Sequence, residues 1–128
     1  LPYGTSSRID LLLSASTGAR TYVEVKNVTL VGDDGRYCFP DAPTERGRKH
    51  LLELTEMVKQ GHRAVMLYVI QRSDGSEFRP AVEVDPVYAE GFRSARNAGV
   101  EALAYRAAVT PELIELRHPV PVAPTWLT

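Results

Sequence analysis

A short, uninterrupted apolar run near the middle of the chain limits what this sequence can fold into. Residues Ala64–Ile70 read AVMLYVI, which is too short to span a membrane but has the length of a strand. Because the run contains no charged residue, we expect this strand to be buried on both faces. A strand buried in this way belongs inside a sheet that other elements cover, which favours an α/β fold.

Two helices are predicted, one on each side of this strand in the sequence. Thr44 is a suitable N-cap for a helix that runs from about Glu45 to Gln60 and ends at Gly61. Its apolar face carries Leu51, Leu54 and Val58, and the opposite face carries polar residues: Arg46, Lys49 and Glu53. The Asp85-Pro86 pair predicts the start of a second helix, which ends near Gly99.

The other strands are predicted at residues 7–14, 20–30, 37–39 and 100–105. The first two form a hairpin with a turn at Thr17-Gly18, and the segment after Arg117 is rich in proline and extended. We therefore expect one α/β domain over residues 1–117, a mixed sheet flanked by helices, and a tail over residues 118–128.

Composition excludes several classes of protein. The formal net charge is −1 over 128 residues, so any affinity for nucleic acid must come from a local basic patch. A single cysteine, Cys38, excludes an internal disulfide and indicates a reducing, cytoplasmic location. The sequence starts without Met or signal-peptide features, and we read it as the interior of a longer protein.

Three charged residues near the start of the chain form the principal candidate site. Glu24 and Lys26 are two apart on a predicted strand, so their side chains point to the same face, and Asp10 lies on the neighbouring strand. Two carboxylates supply the oxygen ligands that Mg²⁺ prefers, and a lysine beside the metal can orient a water molecule. The alternative is that these are ordinary surface charges. Their position among leucines and valines argues against it, because charges in an apolar setting are costly without a partner.

A basic group follows at the start of the first predicted helix: Arg46, Arg48, Lys49 and His50. Cations are unfavourable at a helix N-terminus, which favours a role in contacting phosphate, although a solvated helix face is an equal alternative. His50 as a general base is a second, weaker alternative. Asp41 and Glu45 are candidate accessory residues, Glu45 as an extra contact to metal or water.

Six stretches of the chain resemble the sugar fermentation stimulation protein (SfsA) family. They occur in family order and cover almost the whole sequence: SRIDLLL, YVEVKNVTL, FPDAPTERGRKHLLEL, GHRAVMLYVIQR, VDPVYAEGF and AGVEALAY. Members of this family look like two-part proteins, with an N-terminal OB-like domain followed by a restriction-endonuclease-like domain of the PD-(D/E)xK type. This chain resembles the second part without its first helix and strand, and without the OB-like domain.

The resemblance also implies roles for individual residues. Asp10 matches the first motif acid, Glu24 the second and Lys26 the motif lysine, and the backbone carbonyl of Val25 joins the two acids as a ligand of Mg²⁺ or Mn²⁺. The expected function is nucleic-acid binding, with DNA as the partner, and metal-dependent cleavage of phosphodiesters. One alternative is a DNA-binding regulator of sugar (maltose) metabolism genes that does not cleave. A weaker alternative is a protein-interaction module, and the oligomeric state stays open.

Overall fold

The computed structural model describes residues 20–124 in full and, before them, the backbone of three short strands. In chain order the elements are β1 (Pro2–Tyr3), β2 (Ser7–Arg8), β3 (Leu11–Ser14), β4 (Arg20–Val28), β5 (Leu30–Val31), β6 (Tyr37–Phe39), α1 (Glu45–Lys59), β7 (Arg63–Ile70), β8 (Phe78–Pro80), α2 (Pro86–Ala98), β9 (Glu101–Val109) and β10 (Ile114–Val120).

The main sheet has five strands in the order β10-β9-β7-β4-β3. Strand β7 pairs in parallel with β4 on one side and with β9 on the other, whereas β3 and β10 pair antiparallel at the two edges. Strands β5, β6 and β8 form a separate three-stranded sheet, and β1 pairs with β2. The prediction of a mixed sheet flanked by helices is confirmed.

Strand β7 is the centre of the core, because the whole predicted run from Ala64 to Ile70 is buried. Side chains alternate along it: Met66 and Tyr68 belong to the large apolar cluster that also contains residues of both helices, and Val65 and Leu67 belong to a second cluster on the other face. Both helices therefore cover the same face of the sheet.

The helix boundaries follow the predicted capping residues. The Thr44 side chain accepts a hydrogen bond from the Gly47 amide at the start of α1, and the Asp85 side chain accepts one from the Tyr88 amide at the start of α2. Helix α2 ends at Gly99, whose φ of 111° lies in the left-handed region that glycine adopts without a steric penalty.

Three expectations about the elements differ from the structure. The predicted strand over residues 7–14 is two short strands, because β2 pairs with β1 and only β3 pairs with β4. Glu53, predicted on the polar face of α1, is buried. Residues 118–120, predicted as the start of the tail, complete β10, an edge strand in which Pro119 is tolerated because edge backbone groups need no partner on the outer side.

Candidate functional site

Glu24 and Lys26 project from β4 towards α1. They alternate with Val23, which packs in the apolar cluster on the opposite face of the sheet, and the neighbouring Tyr22 belongs to the helix-side cluster. The period of two along a strand thus directs both charged side chains beneath the helix. His50, from the second turn of α1, meets them there.

These three side chains form a compact cluster, called here the Glu24–Lys26–His50 cluster. His50 Nδ1 lies 2.9 Å from Glu24 Oε1 and 2.8 Å from Lys26 Nζ. Lys26 Nζ lies 3.8 Å from the same carboxylate oxygen. The side chains of Glu24 and His50 are 3% and 1% exposed and that of Lys26 is 14% exposed, so the cluster is an interior group with an opening at the lysine.

Burial makes these contacts energetically important. Moving a carboxylate or an ammonium group out of water costs several kcal/mol, and the cost is offset only where opposite charges and hydrogen bonds are close. Glu24 and Lys26 supply opposite charges, and His50 Nδ1 lies within hydrogen-bond distance of both, accepting from Lys26 or donating to Glu24 according to the ring tautomer. Such a set is suited to hold charged groups in a fixed position.

Asp10 lies outside the described residues, so its side chain is not placed. The backbone beside it is informative, because Leu11, the next residue in the sequence, pairs with Val23, the residue before Glu24. Val25 lies between Glu24 and Lys26 on β4 and is half-buried. Within residues 20–124, no group of three His, Cys, Asp or Glu side chains is arranged to hold a metal ion.

The structure divides the predicted basic group into separate environments. Arg46 is exposed and Lys49 is half-buried, on the first turns of α1. Arg48 instead points to the start of α2, where its Nη2 lies 3.1 Å from Asp85 Oδ1. His50 is 1% exposed, so it lies inside the cluster and apart from the exposed basic residues.

The two predicted accessory residues are both exposed. Asp41 accepts a hydrogen bond from the Thr29 hydroxyl at 3.4 Å, and Glu45 occupies the first turn of α1. An acid in the first turn is favourable to the helix dipole in its own right. Their accessory roles stay predictions.

Asp85 connects the starts of the two helices. Its carboxylate accepts hydrogen bonds from the amides of Thr44 and Tyr88, both at 2.9 Å, and from Arg48. Burial of the carboxyl group acts to raise its pKa, but these hydrogen bonds outweigh burial and hold the pKa of Asp85 below its usual value. Asp85, predicted as a simple helix cap, thus also fixes the end of α1 that carries His50.

Two polar features were not found from the sequence. Glu53 is 8% exposed on the side of α1 that carries His50, three residues further along the helix; this i, i+3 spacing was the available signal. The second feature is a pocket of about 280 Å³ beyond the end of β7, which we call the basic pocket, and whose polar lining includes Arg72, Arg106, Arg117 and His118. Its residues come from three distant parts of the sequence, so no local pattern revealed it.

A family model described as "Sugar fermentation stimulation protein RE domain" matches residues 1–113. The chain belongs to the sugar fermentation stimulation protein family. Family members named sugar fermentation stimulation protein homolog are similar over most of the chain: that of Geobacter sulfurreducens is 59% identical over 120 residues, and that of Roseobacter denitrificans is 50% identical over 120 residues. These alignments cover 94% of this chain in both cases, and 50% and 51% of the two relatives, so the chain spans about half the length of the family members it matches.

A solved structure of the same family has the same fold. SfsA from Pyrococcus furiosus, in complex with Ca²⁺, superposes with a TM-score of 0.82 at 31% identity, over 96% of this chain and 52% of that chain. This similarity agrees with the restriction-endonuclease-like arrangement of the sheet. Among the residues described, no helix is both long and apolar enough to cross a membrane.

Proposed function

We propose that this domain binds nucleic acid and cleaves phosphodiester bonds at a divalent metal held beside the Glu24–Lys26–His50 cluster. The observation that carries the proposal is the cluster itself. A carboxylate and an ammonium group are held beneath a helix with their charged ends 3.8 Å apart. Groups held in this way can bind a cation and place a nucleophile with little reorganisation.

The residues fit the chemistry of Mg²⁺ or Mn²⁺. Carboxylate and backbone carbonyl oxygens are the ligands these ions accept, and Glu24 and Val25 offer both beside each other on β4. Asp10 is the other acid of the proposed metal site. A bound divalent ion would lower the pKa of a water molecule and neutralise charge developing on phosphate. The binding of Ca²⁺ by the Pyrococcus furiosus relative supports a site for hard cations in this family.

Lys26 has a distinct role in the proposal. Its side chain is the most exposed of the three, and its Nζ contacts His50 Nδ1 and Glu24 Oε1. An ammonium group there donates hydrogen bonds to an attacking water or to a phosphate oxygen and stabilises the negative charge of the transition state. His50, on helix α1, maintains the position of Lys26.

Nucleic acid would be bound through basic residues outside the cluster. Arg46, which is exposed, and Lys49, which is half-buried, lie on the same helix as His50. The basic pocket supplies further cationic groups, and one of them, Arg106, has an Nε atom that is buried without a hydrogen-bond partner in the described part of the chain. Contacts of this kind neutralise phosphates and make affinity fall with salt. DNA is the partner we propose.

The proposal is tested by cleavage of end-labelled DNA and RNA in Mg²⁺ and in Mn²⁺. The Lys26→Ala variant should lose at least about 100-fold in rate, and its affinity for the uncleaved substrate should change little. Lys59→Ala is the matched control, because Lys59 is an exposed lysine in the last turn of α1, away from the cluster; it should cleave like the wild-type protein. Equal cleavage by Lys26→Ala and the control would refute the assignment of the site.

One observation favours a second function, that of a DNA-binding regulator of sugar metabolism genes which does not cleave. The carboxylate oxygen of Glu24 that contacts Lys26 also contacts His50, so the cluster can be a neutral structural set. Salt-sensitive DNA binding by a wild-type protein that cleaves no substrate in either metal would support this function. Failure to bind any nucleic acid would exclude both and favour a protein-interaction module.

A further inference from the structure

Glu53 is a buried carboxylate that the proposed function does not use. It is 8% exposed, and both of its carboxylate oxygens are buried without a hydrogen-bond partner in the described part of the chain. Leaving a buried acceptor unsatisfied costs about 1–3 kcal/mol, and more when the group is charged. Buried polar atoms of this kind therefore call for a specific explanation.

A second unsatisfied atom lies on the same helix. His50 Nε2 is also buried without a hydrogen-bond partner among the residues described, although His50 Nδ1 is engaged by the cluster. His50 and Glu53 are three residues apart on α1, a spacing that puts two side chains side by side on one helix face. The two unsatisfied groups are thus neighbours, and one of them is an acceptor.

The contacts of Nδ1 determine what Nε2 can do. His50 Nδ1 has two neighbours with opposite requirements: it must accept from Lys26 Nζ at 2.8 Å, because an ammonium group has only donors, and it must donate to the Glu24 Oε1 carboxylate oxygen at 2.9 Å. A neutral imidazole carries one proton, and where Nδ1 accepts from Lys26 that proton is on Nε2. In this tautomer Nε2–H is a buried donor, and it needs an acceptor on the side of the ring away from Lys26.

We propose that Glu53 is this acceptor, and that it positions His50 by holding the Nε2–H tautomer, either directly after a side-chain rotation or through one water molecule. The carboxylate thereby satisfies both unsatisfied groups. The opposite tautomer would direct Nδ1–H to Glu24 and leave two facing groups, Nε2 and the Glu53 carboxylate, that can only accept. Glu53 is a positioning residue, because it acts on Lys26 through His50.

The tautomer is measured by long-range ¹H–¹⁵N NMR of the histidine rings. The His50→Gln variant identifies the His50 signals by their loss. We expect the Nε2–H tautomer in the wild-type protein. Glu53→Leu, which has a similar size but no acceptor, should shift His50 towards Nδ1–H, whereas Glu53→Gln keeps an acceptor oxygen and should retain Nε2–H.

The control is Glu56→Leu. Glu56 is exposed and lies about one helical turn after Glu53 on α1, so this change should leave the His50 spectrum unchanged. A wild-type protein in the Nδ1–H tautomer would overturn the inference without any variant. An unchanged Nε2–H tautomer in a folded Glu53→Leu protein would overturn it as well.

The consequence for activity rests on the proposed function. If Lys26 acts in cleavage, Glu53→Leu should lower the rate by about 10–100-fold, the usual effect of losing a group that orients a ligand or catalytic residue, and Glu53→Gln should restore most of it. A wild-type protein that does not cleave would remove the proposed function, and the NMR measurement would still decide the role of Glu53.

Discussion

At the scale of single residues, the unusual feature of this domain is that a glutamate, a lysine and a histidine share a space from which water is nearly excluded. Glu24 and His50 are each no more than 3% exposed at the side chain. Removing one member of such a set leaves the others buried without their partner, which is strongly destabilising. For this reason Lys26, the most exposed of the three, is the residue whose loss should affect chemistry more than folding.

The sequence predicted the positions of some residues of the site and not of others. Alternation along the strand was sufficient to place Glu24 and Lys26 on one face, because side chains two apart on a strand must point the same way. The burial of His50 and Glu53 was not predictable in the same way. Polar residues in a helix usually indicate its solvated face. Here His50 and Glu53 are buried, on a helix that covers the strand carrying Glu24 and Lys26.

At the scale of elements, the starts of both helices depend on the Asp85 carboxylate. It caps α2 through the Tyr88 amide and holds the chain before α1 through the Thr44 amide. We expect Asp85→Ala to lower the free energy of unfolding by about 2–3 kcal/mol, the sum of a lost cap and a second lost hydrogen bond. Urea unfolding followed by circular dichroism measures this, with exposed Glu90→Ala on the same helix as the control.

The pH dependence of this stabilisation has a definite sign. The pKa of Asp85 is lowered in the folded protein, so its contribution is fully present above the unfolded pKa of about 3.9 and is lost as the pH falls through the folded value. The difference in unfolding free energy between wild type and Asp85→Ala should therefore be constant near neutral pH and shrink below about pH 4. A difference that grows in acid would contradict the assignment.

Capping residues made the helices predictable, whereas the edges of the sheet were less so. Thr44, Asp85 and Gly99 each act locally, through their own side chain or backbone conformation, and the predicted helix boundaries hold. Strand β10 could not be found this way. It is exposed along most of its length, and its short alternation of apolar and polar residues ends at His118-Pro119, so it is held by pairing with β9.

At the scale of the whole molecule, a net charge of −1 makes the location of basic groups decisive. The basic pocket lies beyond the carboxyl end of β7, and Arg106 on β9 pairs with Ile70, the last residue of β7. Lys26 on β4 pairs with Tyr68, which precedes Ile70 by two residues on β7. The pocket and the cluster thus lie at the same end of the sheet, about 10–15 Å apart by the spacing of strands and residues.

This arrangement predicts a specific change in salt dependence. Arg106→Ala should weaken DNA binding and reduce the slope of log affinity against log salt by about 1, the effect of one lost phosphate contact. Fluorescence anisotropy in Ca²⁺, which suppresses turnover in Mg²⁺ sites, measures both quantities. Arg63→Ala is the matched control, because Arg63 is an exposed arginine at the opposite end of β7; an identical loss of slope in both variants would contradict a role for the pocket.

Anomalous diffraction from crystals soaked in Mn²⁺ tests whether the Glu24–Lys26–His50 cluster borders a divalent metal site. We expect an anomalous peak within about 2.5 Å of a Glu24 carboxylate oxygen, and the loss of this peak in Glu24→Gln crystals soaked in the same way. Well-ordered wild-type crystals with no peak beside Glu24 at millimolar Mn²⁺ would contradict it.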